Sequence, residues 1–187
     1  MACTTREQLG AALKEALSTT ALDKVTVSKL STAVGINRQT FYYHFADVYD
    51  LAVWVFEVEV ANHIMAHATY DQWADGYRTL LNYMRENFDQ TLAVLNSLGH
   101  KQRDAFFLEQ FRAMMRAIVA ELEGDLILEE EDRQFIIDHF AGIVLGHFLR
   151  WLTLNGQEDP DILVPRIEKI MRGNVRTSLE RFAKGQR

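Results

Sequence analysis

Residues Val27–Phe45, VSKLSTAVGINRQTFYYHF, hold two short helices and the turn between them, and their reading decides the fold. Thr26 can cap a helix by accepting a hydrogen bond from a free backbone N–H, which predicts a helix over Val27–Val34 with Leu30 and Val34 facing inward. Gly35 follows where the chain must turn sharply, because a residue without a Cβ takes the left-handed conformation that ends one helix and redirects the backbone. Asn37 is the next N-cap. The helix after it, Arg38–His44, turns Phe41 and Phe45 to one side at i, i+4 and leaves Arg38, Gln39, Thr40, Tyr42, Tyr43 and His44 for solvent or a ligand. Small Ser31 falls where the two helices must approach closely. Two helices crossing steeply over a short turn make a helix-turn-helix unit. Arg38 and Gln39 lie in the first turn of its second helix, where a helix in the major groove presents side chains to base edges.

The side-chain chemistry suits DNA. Arginine pairs bidentately with guanine and glutamine with adenine, each worth roughly 1–3 kcal/mol of discrimination, while threonine and tyrosine can touch a thymine methyl or donate to phosphate. Charge adds a weaker argument. Residues 1–46 carry a net +2 and residues 47–187 a net −8, a mildly basic head on an acidic body.

This segment, extended to VTVSKLSTAVGINRQTFYYHFADVYDL, resembles the DNA-binding domain of the TetR family of bacterial transcription regulators. The resemblance covers about residues 6–60, including a first helix around Leu9, Leu13, Ala16 and Leu17, then Val25, Thr26, Leu30, Gly35, the run Phe41–Phe45, and Leu51. It implies that Arg38, Gln39, Thr40 and Tyr42 meet bases and that Thr26, Tyr43 and His44 meet phosphate; Ser28 is a further candidate contact. NRQTFYYHFADVYDLAVWVFEVEV followed by TYDQW is also similar to the subgroup that includes activators of dihydroxyacetone kinase operons. One departure stands out. Where the family usually has a lysine that meets the DNA backbone, this chain has Val48, which predicts a salt slope lower by roughly 0.9 and modestly weaker binding to all sequences. Only Met1–Thr4 precede the first helix and carry no basic cluster, so no minor-groove arm is expected.

The expected fold class is all-α: an N-terminal three-helix helix-turn-helix domain over residues 1–46, then a helical ligand-binding and dimerisation domain over 47–187. An apolar content of 48% in 187 residues supports a sizeable core. Pro160 and Pro165 are the only prolines, and both lie near one break, which argues for long helices nearly throughout. Helices are expected over about 47–68, 71–88, 91–98, 103–123, 131–154 and 161–182, with stops at Gly99, Gly124 and Asn155-Gly156. The start MACTTREQ lacks the regions of a signal peptide, and no uninterrupted run of about 18 apolar residues appears. The expectation is therefore a soluble cytoplasmic protein with no membrane partner. A single cysteine, Cys3, fits a reducing compartment and excludes an internal disulfide.

The last two expected helices form the expected dimer surface. Phe135, Ile136, Phe140, Ile143, Val144, Phe148, Leu149, Trp151 and Leu152 leave one of them apolar over much of its circumference, so it must be buried on two sides. Gly142 and Gly146, one turn apart, would let a partner helix approach closely; Ile167, Ile170, Met171 and Leu179 give the final helix its stripe. A four-helix interface across a two-fold axis follows. Two recognition helices about 34–36 Å apart could then read a pseudo-palindrome on one DNA face. The resemblance implies that an effector acts within the C-terminal body and swings the helix carrying Trp54, Phe56, His63 and His67. A small-molecule pocket is expected among His63, Tyr77, Tyr83 and Met84, together with Phe88, Phe107, Phe111, His139 and His147. Most of that aromatic set is equally what a helical core needs. In the narrower subgroup, sensing can belong instead to a coactivator protein that carries the small molecule.

Other classes find little support. His63 and His67 stand at i, i+4, and His139 and His147 two turns apart, yet neither pair has an HExxH motif or cysteine cluster, so no metal and no cofactor is expected. No histidine follows a carboxylate by three residues, and there is no GxGxxG, phosphate loop or GxSxG, so the chain is not expected to be an enzyme. The acidic run Glu129–Asp132 lacks the spacing of a calcium loop. The alternative is a helix-turn-helix protein that serves mainly as an interaction module or depends on a coactivator.

Overall fold

The computed structural model describes residues 4–86 and 88–183. Cys3 and most of the short N-terminal arm lie outside the described residues. The chain is all-α, and no strand occurs among the described residues. Ten helices are formed there: α1 (Thr5–Leu17), α2 (Val27–Val34), α3 (Arg38–His44), α4 (Val48–Met65), α5 (Trp73–Glu86), α6 (Phe88–Ser97), α7 (His100–Glu123), α8 (Glu130–Thr153), α9 (Pro160–Met171) and α10 (Asn174–Phe182).

Local chemistry sets several of the helix starts. Thr4 and Glu7 form a reciprocal capping box for α1, with Glu7 N–H donating to Thr4 Oγ1 at 3.3 Å and Thr4 N–H to Glu7 Oε2 at 2.7 Å. α4 begins the same way: Asp50 N–H donates to Asp47 Oδ1 at 2.9 Å and Ala46 N–H to Asp50 Oδ2 at 2.8 Å. Asp159 caps α9 and Pro160 occupies its first turn, where a missing N–H costs nothing. A single 3-10 turn, Leu22–Lys24, between α1 and α2 was not expected.

Two differences follow from the tertiary fold. The single helix expected over 161–182 is two, because Gly173 takes φ +82° and breaks it between α9 and α10. The Gly173 N–H donates to the Tyr70 hydroxyl at 2.9 Å, so a partner 103 residues away in sequence holds the break in place. Pro165, expected at a break, lies inside α9 instead.

The chain divides into two compact units, and the division does not follow the expected border at 46/47. The first unit runs to Glu59 and adds Asp89–Gly99; the second comprises Val60–Phe88 and the chain from His100 onward. In the first, Leu9, Leu13, Leu30, Phe41, Phe45 and Leu51 are buried at 0–2% exposure, and Val48, Ala52 and Phe56 join them, which draws the first part of α4 into the head. In the second, α7 packs along α8, α5 on α9, and α10 on α7 and α8. Phe107, Phe111 and Phe148 fill that core with ring centroids 4.1–6.3 Å apart. By length and mean hydropathy α8 is apolar enough to cross a bilayer, although charged residues interrupt its apolar run; its Ile136, Phe140, Val144, Phe148 and Trp151 are buried inside the fold.

Candidate nucleic-acid interface

α2 and α3 have the bounds that the sequence predicts, Val27–Val34 and Arg38–His44. Thr26 caps α2 with its hydroxyl oxygen, which accepts from Lys29 N–H at 3.3 Å and keeps its own proton to donate elsewhere. Gly35 ends α2 at φ +74°, ψ +28°, the left-handed conformation that a side chain would penalise. Asn37 caps α3, accepting from Thr40 N–H at 2.7 Å and from the Thr40 hydroxyl at 3.0 Å. Ser31 is buried at 3%, as a close helix contact requires.

What makes α3 a presenting surface is its anchoring. Phe41 and Phe45 are 0% and 2% exposed with ring centroids 6.0 Å apart, and the Phe45 ring lies 5.7 Å from that of Trp54 on α4. Truncating either phenylalanine removes a core ring, a change that typically costs 3–5 kcal/mol. The opposite face is open. Arg38 and Gln39 are exposed, Tyr42 is half exposed, and Tyr43 is 85% exposed, an unusual placement for so large an aromatic side chain. Thr40 and His44 are half-buried; the His44 ring packs edge-on against Tyr43, centroids 5.1 Å apart. Thr26 and Ser28 are both exposed at the start of α2.

The five cations of residues 1–46 differ in their availability. Lys14 is tied to Glu59 at 2.7 Å, and the Arg6 guanidinium lies over the Phe45 and Trp54 rings. Lys24, Lys29 and Arg38 are exposed and make no ion pair among the described residues. In the second unit most arginines are matched to carboxylates, among them Arg112 with Asp138 at 2.7 Å and Arg133 with Glu123 at 2.5 Å. Lys24 and Lys29 are absent from the sequence-based set of DNA-binding residues. Only the pairing of the other cations singles them out, and a sequence does not display pairing. Val48 is 7% exposed and packs into the head, so the position that usually carries a lysine is here part of the core.

In the second unit the expected pocket residues divide. Tyr77, Met84, Phe107 and Phe111 are buried together at 0–1%, with the Tyr77 and Phe111 rings edge-on at 5.8 Å. The Tyr77 hydroxyl is buried without a hydrogen-bond partner among the described residues, and burial pushes its pKa up. Half-buried His63 stacks on Tyr83 with centroids 4.9 Å apart, and Phe88 packs edge-on against Trp151 at 5.9 Å. His147 is half-buried, whereas His139 is exposed and stacks on exposed Phe135. His67 lies beyond the end of α4 and does not share a helical face with His63. Among the described residues no three metal-ligating side chains converge.

The expected dimer residues divide too. Trp151, Ile167, Met171 and Leu179 are 0–3% exposed inside their own chain, and Trp151 Nε1–H donates to the Glu158 carbonyl at 2.8 Å, so these four are enclosed before any partner arrives. Gly142, Gly146 and Ile170 face outward and Ile143 is half-buried. A Cβ added at Gly142 or Gly146 would meet nothing within 4 Å. Phe135 and Phe182, exposed at 61% and 40%, lie 6.3 Å apart across α8 and α10.

A TetR C-terminal family model, described as the C-terminal region of transcriptional regulators, matches residues 71–173. The transcriptional activator DhaS of the dhaKLM operon from Lactococcus lactis subsp. lactis is 27% identical over 144 residues, 75% of each chain. Among solved structures, a dihydroxyacetone kinase operon activator DhaS superposes with a TM-score of 0.62 at 22% identity, covering 98% of this chain and all of the other. The TetR family repressor AlkX from Dietzia sp. strain DQ12-45-1b gives the same TM-score at 17% identity, over 94% and 97% of the two chains. These two likenesses establish the fold.

Proposed function

This chain belongs to the TetR family of transcriptional regulators, and on that premise we propose that two copies of it read a pseudo-palindromic operator in double-stranded DNA through α3. The observation that carries this reading is the two-sided character of α3. Phe41 and Phe45 fix it to the head, while Arg38, Gln39, Tyr42 and Tyr43 stand open to solvent. Thr26, Ser28, Thr40 and His44 complete the contact set, and the unpaired Lys24 and Lys29 supply phosphate contacts that Val48 does not. Lysines that meet phosphate raise affinity for every sequence and steepen its salt dependence.

The outward strip of Gly142, Gly146, Ile170, Phe135 and Phe182 is the proposed dimer face, with Ile143 at its margin. Control falls to an effector or a partner protein acting on the second unit. A small-molecule effector is favoured by the buried Tyr77 hydroxyl, since an unmatched buried donor costs roughly 1–3 kcal/mol that a bound acceptor would recover. The chain acts by binding rather than catalysis, in the cytoplasm where its DNA target lies. The second reading, an interaction module or a coactivator-dependent regulator, draws on one observation, the buried apolar Val48 in place of a cation.

Selection of bound duplexes from a random library at fixed salt tests the proposal, with an Arg38→Ala, Gln39→Ala variant run in parallel. An enriched palindrome that disappears in the variant is the expected result. No enrichment at low salt would overturn the operator reading in favour of the interaction module.

A further inference from the structure

The unit that contains α3 also contains a recess of about 430 Å³, walled by the end of α1, the 3-10 turn, α4 and α6. Small-molecule sites span roughly 300–1,000 Å³, so the recess has room for a ligand of modest size. Its floor is apolar, made by Leu17, Ala21, Leu22 and Ala93. Thr19, Thr20, Asp23, Tyr49, Asp89 and Gln90 supply its polar lining. Asp23 and Asp89 bring two exposed carboxylates, neither of which is paired or hydrogen-bonded through its side chain among the described residues. The Tyr49 ring is 40% exposed. Gln90 also borders it: its amide N–H donates to the Leu17 carbonyl at 3.2 Å, which fixes that wall and leaves the amide oxygen as an acceptor.

An apolar floor beside two unmatched carboxylates and an aromatic face has a definite chemical complement. Anions are repelled by the two acids. A neutral apolar molecule would cover the floor but leave both carboxylates without a counter-charge. An organic cation satisfies every part at once: its apolar body covers the floor, its N–H groups donate charge-assisted hydrogen bonds to the carboxylates, and its charge lies against the Tyr49 ring. Asp89 stands in the first turn of α6, where the backbone dipole favours a negative charge, and Asp23 lies in the short 3-10 turn. What the tertiary fold adds is that the two border one recess.

We propose that this recess binds a small amphipathic cation, an aryl or alkyl ammonium or amidinium, independently of any effector held by the second unit. Calorimetric titration of the full chain, without DNA, with benzamidinium and with its neutral isostere benzamide tests this. The expected result is binding of the cation at least about tenfold tighter than that of benzamide. That preference disappears in an Asp23→Asn, Asp89→Asn variant, and both compounds are excluded by Ala93→Phe, which fills the floor. Unfolding midpoints establish that each variant is folded. Equal affinity for the two compounds, full cation affinity retained in either variant, or no heat at millimolar ligand would each overturn the proposal. Because no DNA is present, the outcome stands apart from the operator reading.

Discussion

The Arg6 guanidinium lies 5.0 Å from the centroid of the Trp54 ring and equally 5.0 Å from that of Phe45, so one cation on α1 caps both the residue that ends α3 and the residue of α4 beside it. Gly10, one turn further along α1, leaves room for the same indole: a Cβ there would come within 3.0 Å of it. Each cation–π contact at an exposed site is worth about 0.5–1 kcal/mol. Arg6→Ala is therefore expected to destabilise the protein by about 1–2 kcal/mol, read from urea unfolding. Arg6→Lys recovers only part of this, since a compact ammonium cannot stack as a planar guanidinium does. An unchanged midpoint in Arg6→Ala would show that the rings hold α3 without the cation.

The unpaired cations of the head predict two kinds of effect on DNA binding. Arg38→Ala removes the proposed base-reading group, so it is expected to weaken the selected operator by roughly 1–3 kcal/mol and to relax preference at one position of each half-site. Lys29→Ala and Lys24→Ala remove charges that carry no sequence information. They are expected to weaken all duplexes alike and to lower the salt slope by roughly 0.9 for each phosphate no longer neutralised. Salt-dependent affinity measurements on operator and scrambled DNA separate the two patterns.

Gly146 offers a test of the proposed dimer face. Apart from the adjacent backbone of its own helix, nothing lies within 4 Å of where its Cβ would be, and a better helix former on an exposed face stabilises a helix by up to about 1 kcal/mol relative to glycine. Gly146→Leu is thus expected to raise the stability of an isolated protomer while breaking a close helix approach between two copies. Sedimentation should show a shift toward monomer. An undiminished dimer would place the interface elsewhere.

Two carboxylates give opposite pH signatures. Hydrogen bonds from Arg133 hold Glu123 below the usual carboxylate range, against a smaller opposing effect of burial. Its contribution to stability is present above the ordinary value of about 4.3 and is lost as pH falls through the lower folded-state value. Arg133→Gln is expected to lower the unfolding midpoint at pH 7, and the difference from the parent should shrink in acid.

Glu57 runs the other way. Burial first, and the charge of Asp50 second, raise its carboxyl above the usual range. The folded chain then holds this proton more tightly than the unfolded one, so the site favours folding at low pH and opposes it once the carboxylate forms. Glu57→Gln is expected to stabilise the protein at neutral pH, with the gain vanishing below the ordinary carboxylate range. Thermal unfolding of parent and variant across pH 3–8, roughly the span of the titration, reads both effects.

Much of the head was legible from the sequence because its signals are local. Thr26, Gly35 and Asn37 each act through backbone groups no more than four residues away, so the bounds of α2 and α3 could be read directly, and Phe41 and Phe45 announced the buried face by their spacing alone. The resemblance to the TetR family rested on those same positions. Gly173 was a local signal too, yet an apolar stripe that continues from Ile167 to Leu179 concealed the break it makes.

Only the tertiary structure decided which side chains are available. That Lys14 is occupied while Lys29 is open depends on Glu59, 45 residues away from Lys14, and that Val48 is core rather than surface depends on how α4 lies in the head. Trp151 and Ile170 read alike as apolar helix positions, yet one is enclosed by its own chain and the other is 64% exposed. The all-α class, the two helices of the helix-turn-helix and the buried and open faces of α3 could be read from the residues alone, since caps, turns and helical periodicity are set within a few residues. Ion pairing and burial are set by residues far apart in the chain, and so the free cations, the outward strip of α8 and α10 and the recess beside Asp23 and Asp89 emerged only when the helices were packed.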